Sequence, residues 1–233
     1  LVCADLSYVD WDGIVEKEEV SLEEACRKYL SLYSEKELKS KYTFSINLPH
    51  LIDALQDTIR YGNIKLKNYK KVYSDEDAIQ FSVVTLVLPD GSLVLSFSGT
   101  DGSITGWKEN LMMTYSKDLP CQILAKDYVK ETIADIPETS YLFGLKKKKV
   151  YPKMYLTGHS KGGNLAMYAY LKNPKLQGYI EGVKSFDGPG FADGFWQGDE
   201  DVSKITNYIP KDSIVGRVLD HREQTKVLDA QGS

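Results

Sequence analysis

The stretch YLTGHSKGGNLAMYAY, residues 155–170, joins two different sequence patterns at a single serine, Ser160. Before the serine, residues 152–159 include a short apolar run that is typical of a buried β-strand. After it, small and apolar residues continue over 162–172, and Pro174 follows them. The sequence therefore predicts a strand that ends at Ser160 and a helix that begins directly after it.

Ser160 also lies in the pentapeptide Gly158-His159-Ser160-Lys161-Gly162, which matches the G-x-S-x-G pattern of a nucleophile elbow. Such a turn strains the serine backbone, and small neighbours let the strand and the helix pass closely. The helix N-terminus then directs free N–H groups at an oxyanion formed beside the serine. A plain glycine-rich turn is the alternative, but the flanking strand and helix favour a nucleophile. We expect the Lys161 side chain to be solvated and its backbone N–H to be the functional group.

The rest of the chain alternates strand patterns with helix patterns. Residues 79–100 hold two β-rich runs joined by Pro89-Asp90-Gly91, a strong hairpin turn. A helical pattern covers 125–136, and further apolar strand patterns lie at 179–190, 205–210 and 225–230. This alternation predicts an α/β protein with a mainly parallel sheet and helices on both faces.

The first third of the chain reads differently. Ser21 and Glu24 form a capping box at the start of a helix over 21–34, and Pro49 begins another over 49–60. We therefore expect a single domain over 1–233, with a helical N-terminal layer over 1–70 and a catalytic core over 71–233. The first residue is Leu rather than Met, so we also expect the N- and C-terminal ends of this domain to be missing.

Composition narrows the function classes. The net charge of -4 gives no reason to expect a nucleic-acid partner, and no apolar run approaches the ~20 residues of a transmembrane helix. The three cysteines, Cys3, Cys26 and Cys121, are odd in number and far apart, which suits a reducing, cytoplasmic location. We find no metal-ligand spacing and no nucleotide fingerprint, so we expect neither metal nor cofactor. Composition leaves the oligomeric state open.

Three more motifs carry a resemblance to a known family. They are LSFSGTDGSITGW at 95–107, SFDGPGF at 185–191 and NYIPKDSIVGRV at 207–218. Together with the elbow they resemble the class 3 lipases, which implies an α/β-hydrolase fold. The resemblance also implies that the backbone N–H groups of Thr100 and Lys161 bind the oxyanion and that Asp212 is the triad acid. Asp187, in the 185–191 turn, is a rival for the acid.

A second resemblance spans nearly the whole chain. It rests on LSYVDWDGIV, RYGNIKLKNY, IQFSVVTLVLPDG, GTDGSITGWKE, GHSKGGNLA and FDGPGF. In combination these stretches are similar to an uncharacterised bacterial family of lipase-like α/β-hydrolases. That likeness implies the fold and leaves the substrate undefined.

The general base must come from a small set, since the chain has three histidines: His50, His159 and His221. We expect His50, at a predicted helix start, to be structural, and His159 to pack beside the elbow. The order Ser, acid, His of α/β-hydrolases leaves His221. Two hypotheses stay open: His221 is the base, reached through a helical segment after Asp212, or the base follows Ser233 and His221 is an exposed residue.

Two further stretches have expected roles. The lysine run at 146–149 is expected to be a solvated loop. Residues 109–120, with Met112 and Met113, lie where class 3 lipases carry a lid, and they suit an adaptable apolar lip or an ordinary core.

The sequence therefore predicts a serine hydrolase, esterase or lipase-like, that cleaves a small-molecule or lipid ester. Ser160 attacks the carbonyl, His221 takes its proton and Asp212 orients the histidine. One alternative is a binding or scaffold protein that keeps the hydrolase fold without the activity. A peptidase or thioesterase on the same machinery is another.

Overall fold

The structure is a computed structural model that describes residues 1–34, 36–38, 47–56, 58, 60–141 and 146–230. Its strands are β1 (Val20–Ser21), β2 (Lys65–Ser74), β3 (Ile79–Val87), β4 (Leu93–Phe97), β5 (Glu138–Tyr141), β6 (Lys146–Lys149), β7 (Met154–His159), β8 (Ile180–Phe186), β9 (Ile205–Pro210) and β10 (Gln224–Leu228). Its helices are α1 (Val2–Asp5), α2 (Leu22–Ser31), α3 (Leu48–Leu55), α4 (Ile104–Met112), α5 (Pro120–Ala134) and α6 (Lys161–Leu171). Short 3-10 turns lie at Leu6–Tyr8, Pro174–Tyr179 and Val215–Arg217.

One eight-stranded sheet, in the order β1-β2-β3-β4-β7-β8-β9-β10, forms the centre of the molecule. The pairs from β4 to β10 are parallel, and the pairs from β1 to β4 are antiparallel. The predicted hairpin joins β3 to β4, where Gly91 takes a positive φ of 82°. The predicted mainly parallel sheet and α/β-hydrolase architecture are confirmed, with an antiparallel half on the β1 side.

Each face of the sheet carries its own hydrophobic core. Successive residues of β3 point to opposite faces, so Val83 contributes to one core and Val84 to the other. The first core packs α5 and α6 on the sheet and contains Cys121, whereas the second packs α2 and α3 and contains Cys26. The prediction of helices on both faces is therefore confirmed.

The N-terminal layer includes strands as well as helices. The Ser21 side chain caps α2 by accepting a hydrogen bond from the Glu24 N–H at 3.1 Å, as the capping box predicts. However, β1 and the start of β2 fall within residues 1–70. In β2, Leu66 is fully buried between two outward-facing lysines, Lys65 and Lys67. This alternation with period two places the segment in the sheet.

Some element boundaries differ from the predicted ones. The helix expected over 49–60 ends at Leu55, and the one expected over 125–136 begins at Pro120, a residue suited to the first helical turn. The lysine run at 146–149 is strand β6, paired antiparallel with β5, so the expected loop is wrong. The backbone register places Lys149 opposite Glu138, and the Lys149 side chain donates to the Ala134 carbonyl at 2.7 Å.

In the residue ranges given above, no helix has both the length and the apolar character needed to cross a membrane.

Candidate active site

Ser160 occupies a strained turn at the carboxyl end of β7. Its φ is 54° and its ψ is −127°, a backbone conformation that non-glycine residues rarely adopt. The turn is fixed from both sides: the Ser160 N–H donates to the Phe186 carbonyl at 2.9 Å, and the Ser160 carbonyl accepts from the Gly163 N–H at 2.9 Å. The predicted change from strand to helix therefore takes place at this residue.

The two glycines of the pentapeptide serve close packing. A Cβ atom at Gly158 would overlap the backbone of Gly162, and a Cβ atom at Gly162 would overlap the carbonyl of Phe97 at the end of β4. Neither glycine has a positive φ. Their role is to let β4, β7 and the first turn of α6 meet backbone to backbone.

Ser160 opens into a cavity of about 360 Å³. One wall comes from α4 and the turn after it, including Trp107 and Met113, and the opposite wall comes from residues 214–219. These walls are mostly apolar, so the cavity offers an ester-sized site with few polar contacts.

Both predicted oxyanion residues line this cavity together with Ser160. Lys161 is the first residue of α6, where a backbone N–H has no acceptor within the helix. Thr100 follows β4, and its Oγ1 donates to Asn110 Oδ1 on α4 at 3.0 Å. The sequence-predicted nucleophile and oxyanion residues are thus close in space.

The Lys161 side chain is not solvated, which corrects the expectation from the sequence. It is 1% exposed, and its Nζ donates to Gln80 O at 2.5 Å, to Gln80 Oε1 at 2.6 Å and to Glu109 Oε2 at 2.5 Å. The first turn of α6 directs this side chain inward, between β3 and α4. Its ammonium group therefore belongs to a buried network behind the cavity.

Tyr8 joins the site from the N-terminal layer. Its hydroxyl lies 2.9 Å from His159 Nδ1 and donates to the His159 carbonyl at 3.3 Å. A side chain at Gly99 would overlap this hydroxyl, so Gly99 is required for its position. Burial lowers the pKa of His159, which keeps the ring neutral near pH 7. Tyr8 was missed in the sequence because nothing local marks it beyond its place in LSYVDWDGIV.

The two candidate acids have different surroundings. Asp212 lies in an exposed turn directly after β9. Asp187 lies after β8 with a φ of 56°, and its carboxylate accepts hydrogen bonds from Ser213 Oγ at 2.6 Å and from the Gly216 N–H at 3.0 Å. Asp187 therefore holds the loop that follows Asp212.

His221 does not itself line the cavity, although it contacts Val218, which does. Its Nδ1 lies 2.6 Å from Glu223 Oε1 and its Nε2 lies 3.1 Å from the Val218 carbonyl. Burial alone would lower the pKa of His221, but the hydrogen bond and charge of Glu223 outweigh it and raise that pKa. The segment before it forms a 3-10 turn, not the helix that would bring His221 back to Ser160. His50 is exposed on α3.

Among the described residues, no three His, Cys, Asp or Glu side chains lie close enough together to hold a metal ion.

A strained serine between a central parallel strand and the following helix, with helices on both faces of the sheet, defines the α/β-hydrolase fold. Within that class, the chain belongs to the Mbeg1-like family, whose model matches residues 55–233. No curated protein matches the sequence.

Among solved structures, the chain is similar to the lipase from Rhizopus microsporus var. chinensis. The TM-score is 0.50 at 13% identity, over 93% of this chain and 79% of that lipase. It is also similar to a fungal lipase with a TM-score of 0.50 at 16% identity, over 93% of this chain and 70% of the other. At such identities the likeness establishes a lipase-like fold.

Proposed function

We propose that this chain is a serine hydrolase that cleaves a carboxylic ester, either a soluble acyl ester or a lipid-like one, with Ser160 as nucleophile. The observation that carries the proposal is the strained Ser160 backbone at the N-terminus of α6, facing an apolar cavity of about 360 Å³. A cavity of this size and lining suits the hydrocarbon part of an acyl group. The lipase-like fold is consistent with ester chemistry.

In the proposed reaction, Ser160 Oγ attacks the ester carbonyl carbon while its proton passes to a general base. The carbonyl oxygen becomes an oxyanion, and the backbone N–H groups of Thr100 and Lys161 bind it. Collapse of this intermediate expels the alcohol, which takes the proton from the base, and leaves an acyl-serine ester. Water then attacks the acyl group by the same route and releases the carboxylic acid.

Asp212 is the proposed acid of the triad. Both carboxylate oxygens of Asp187 accept hydrogen bonds from the loop at 213–216. In this proposal, Asp187 therefore fixes the turn that carries Asp212. The base stays between the two hypotheses from the sequence. His221 takes the role only if it exchanges Glu223 and the Val218 carbonyl for Ser160 and Asp212. Otherwise a histidine that follows Ser233 supplies it.

Labelling with a fluorophosphonate probe, followed by mass spectrometry of the modified peptide, tests the nucleophile. We expect Ser160 to carry the label and Ser160→Ala to abolish both labelling and ester turnover, with Ser203→Ala, an exposed serine, as the matched control. A p-nitrophenyl ester series then reports the preferred acyl length. Full labelling of Ser160→Ala would show that the nucleophile is elsewhere. A wild-type chain that takes no label would favour either the binding or scaffold alternative or a base that follows Ser233, and labelling of a chain extended beyond Ser233 would select the second.

Substitution separates the acid and base candidates. We expect Asp212→Asn to lower kcat strongly with little loss of stability. Asp187→Asn should lower stability, and any fall in its kcat should be small relative to that loss. His221→Gln removes the base if the first hypothesis holds, and loses most ester turnover. Unchanged turnover in His221→Gln assigns the base to another histidine.

A further inference from the structure

A buried ion pair lies directly behind the candidate oxyanion hole. Lys161 and Glu109 have side chains that are 1% and 0% exposed, and their charged atoms are 2.5 Å apart. Removing two charges from water costs several kcal/mol for each ion in general, so such a pair is costly unless its geometry is well supported. Gln80 supplies that support by accepting two further hydrogen bonds from Lys161 Nζ.

Helix α4, which carries Glu109, has an inverted distribution of residue types. Three of its large apolar side chains face outward, with Ile104 77% exposed, Trp107 57% and Leu111 66%, whereas Met112 at its end packs against the first core. Its buried face holds Thr105, Gly106 and the charged Glu109. Burial of apolar area therefore holds α4 mainly at its C-terminal end, and polar contacts hold the rest of the helix.

Two of these polar contacts lead to the two proposed oxyanion donors. Glu109 binds the side chain of Lys161, and the next residue, Asn110, accepts a hydrogen bond from Thr100 Oγ1 at 3.0 Å. Adjacent residues of one helix thus hold both residues that line the cavity and are proposed as backbone donors. An oxyanion hole depends on donors fixed before the reaction, because they then cost no reorganisation in the transition state.

We infer that Glu109 is a positioning residue for the oxyanion hole: through its buried ion pair it fixes Lys161, and through α4 it fixes Thr100. This inference rests on the proposed function. Glu109 touches no reacting atom itself. The same ion pair keeps α4 packed beside the elbow, because moving the helix away would separate two buried charges.

The experiment compares Glu109→Met, Lys161→Met and the double variant with wild type. Breaking a buried pair by changing one partner is strongly destabilising, whereas replacing both by well-packed hydrophobic groups of similar volume is often neutral. We therefore expect lower Tm values for both single variants and a Tm near wild type for the double variant. Lys108→Met, an exposed lysine on the same helix, is the matched control.

Activity and amide hydrogen exchange then distinguish positioning from stability. In the double variant we expect kcat to fall at least about tenfold, while KM changes less than about threefold, because the lost donor geometry acts in the transition state. Exchange should accelerate in 104–112 and 161–164 but not in β8. A stable double variant with wild-type kcat would overturn the inference. If wild type shows neither labelling nor turnover, either as this chain or extended beyond Ser233, the proposed function fails. Unchanged exchange in those two segments overturns the anchoring role independently.

Discussion

At the scale of single residues, Ser160 is held in a conformation that its own Cβ opposes. A non-glycine residue in such a sparsely populated region costs on the order of 1–3 kcal/mol. The surroundings supply that energy through the hydrogen bond to Phe186 and the start of α6. Strain maintained by this many contacts is typical of functional turns, which is why the geometry supports a nucleophile.

The His221–Glu223 pair predicts a pH dependence of stability. The pKa of His221 is raised above 6.5, and that of Glu223 is lowered below 4.5, although burial opposes both shifts. A raised histidine pKa stabilises the fold fully below the unfolded value, and this stabilisation is lost as the pH rises through the folded value. The lowered glutamate pKa stabilises above its unfolded value. We therefore expect the free energy of unfolding contributed by the pair to fall as the pH rises from about 6.5, the unfolded histidine value, through the raised folded value.

Urea denaturation of wild type and Glu223→Gln across this range measures the effect. The difference between the two free energies should shrink as the pH rises. The lowered pKa of His159 has the opposite sign, but it is common to both proteins and cancels in the difference. Parallel curves would contradict the prediction.

Residue-level prediction from sequence succeeded where local chemistry determines the outcome. The Gly-x-Ser-x-Gly spacing is a local requirement, so the strained turn at Ser160 could be predicted from it, while the role of Ser160 as nucleophile stays a prediction. The inward direction of Lys161 depends on Glu109, which is 52 residues away along the chain. Tyr8 reaches His159 across 151 residues. Neither contact has a signal in the neighbouring sequence.

At the scale of elements, α6 packs unusually close to the sheet. Its first turn contacts the end of β4 and the end of β7 through backbone atoms, because Gly162 and Gly158 provide no Cβ. Backbone atoms cannot move aside as the end of a flexible side chain can. The spacing between these three elements is therefore set by the absence of two methyl groups.

Gly162→Ala should destabilise the protein, although alanine is the better helix former. Overpacking in a rigid site typically costs about 1–3 kcal/mol, and here the overlap is with the Phe97 carbonyl, so we expect at least about 2 kcal/mol. Chemical denaturation measures the change. Gly178→Ala is the control, since a Cβ atom there meets nothing within 4 Å. Equal midpoints for the two variants would refute the close approach.

The strands of the parallel half of the sheet were predicted from sequence more reliably than the ends of helices. The strand predicted at 205–210 became β9 with the same bounds, and it has buried residues on both faces of the parallel sheet. The lysine run was missed because β6 pairs only with β5, outside the main sheet, and is not an apolar run. The ends of α3 and α5 depend on tertiary contacts that the periodic pattern does not contain.

At the scale of the whole molecule, two cores share one sheet. Strands β3 and β4 alternate their side chains between the N-terminal layer and the α5–α6 layer, so neither core is complete without the same strands. The position of Tyr8 shows that this sharing reaches the candidate site as well. The two layers should accordingly lose their structure together.

Tryptophan fluorescence can test this coupling, since Trp11 is buried in one core and Trp196 in the other. We expect a variant that keeps only Trp11 (Trp107→Phe, Trp196→Phe) to give the same urea midpoint by fluorescence and by circular dichroism. The same should hold for a variant that keeps only Trp196. Midpoints that differ by more than about 0.5 M within one variant would show that the layers unfold separately.

The buried cysteines have a further consequence for kinetics. Burial raises the pKa of Cys26 to about 12 and raises that of Cys121 as well, so neither forms a thiolate in the closed molecule. Each thiol lies in a different core. An alkylating reagent therefore reacts with each sulfur only during transient openings of its own layer. Under native conditions, the two modification rates report how often each side of the sheet opens locally.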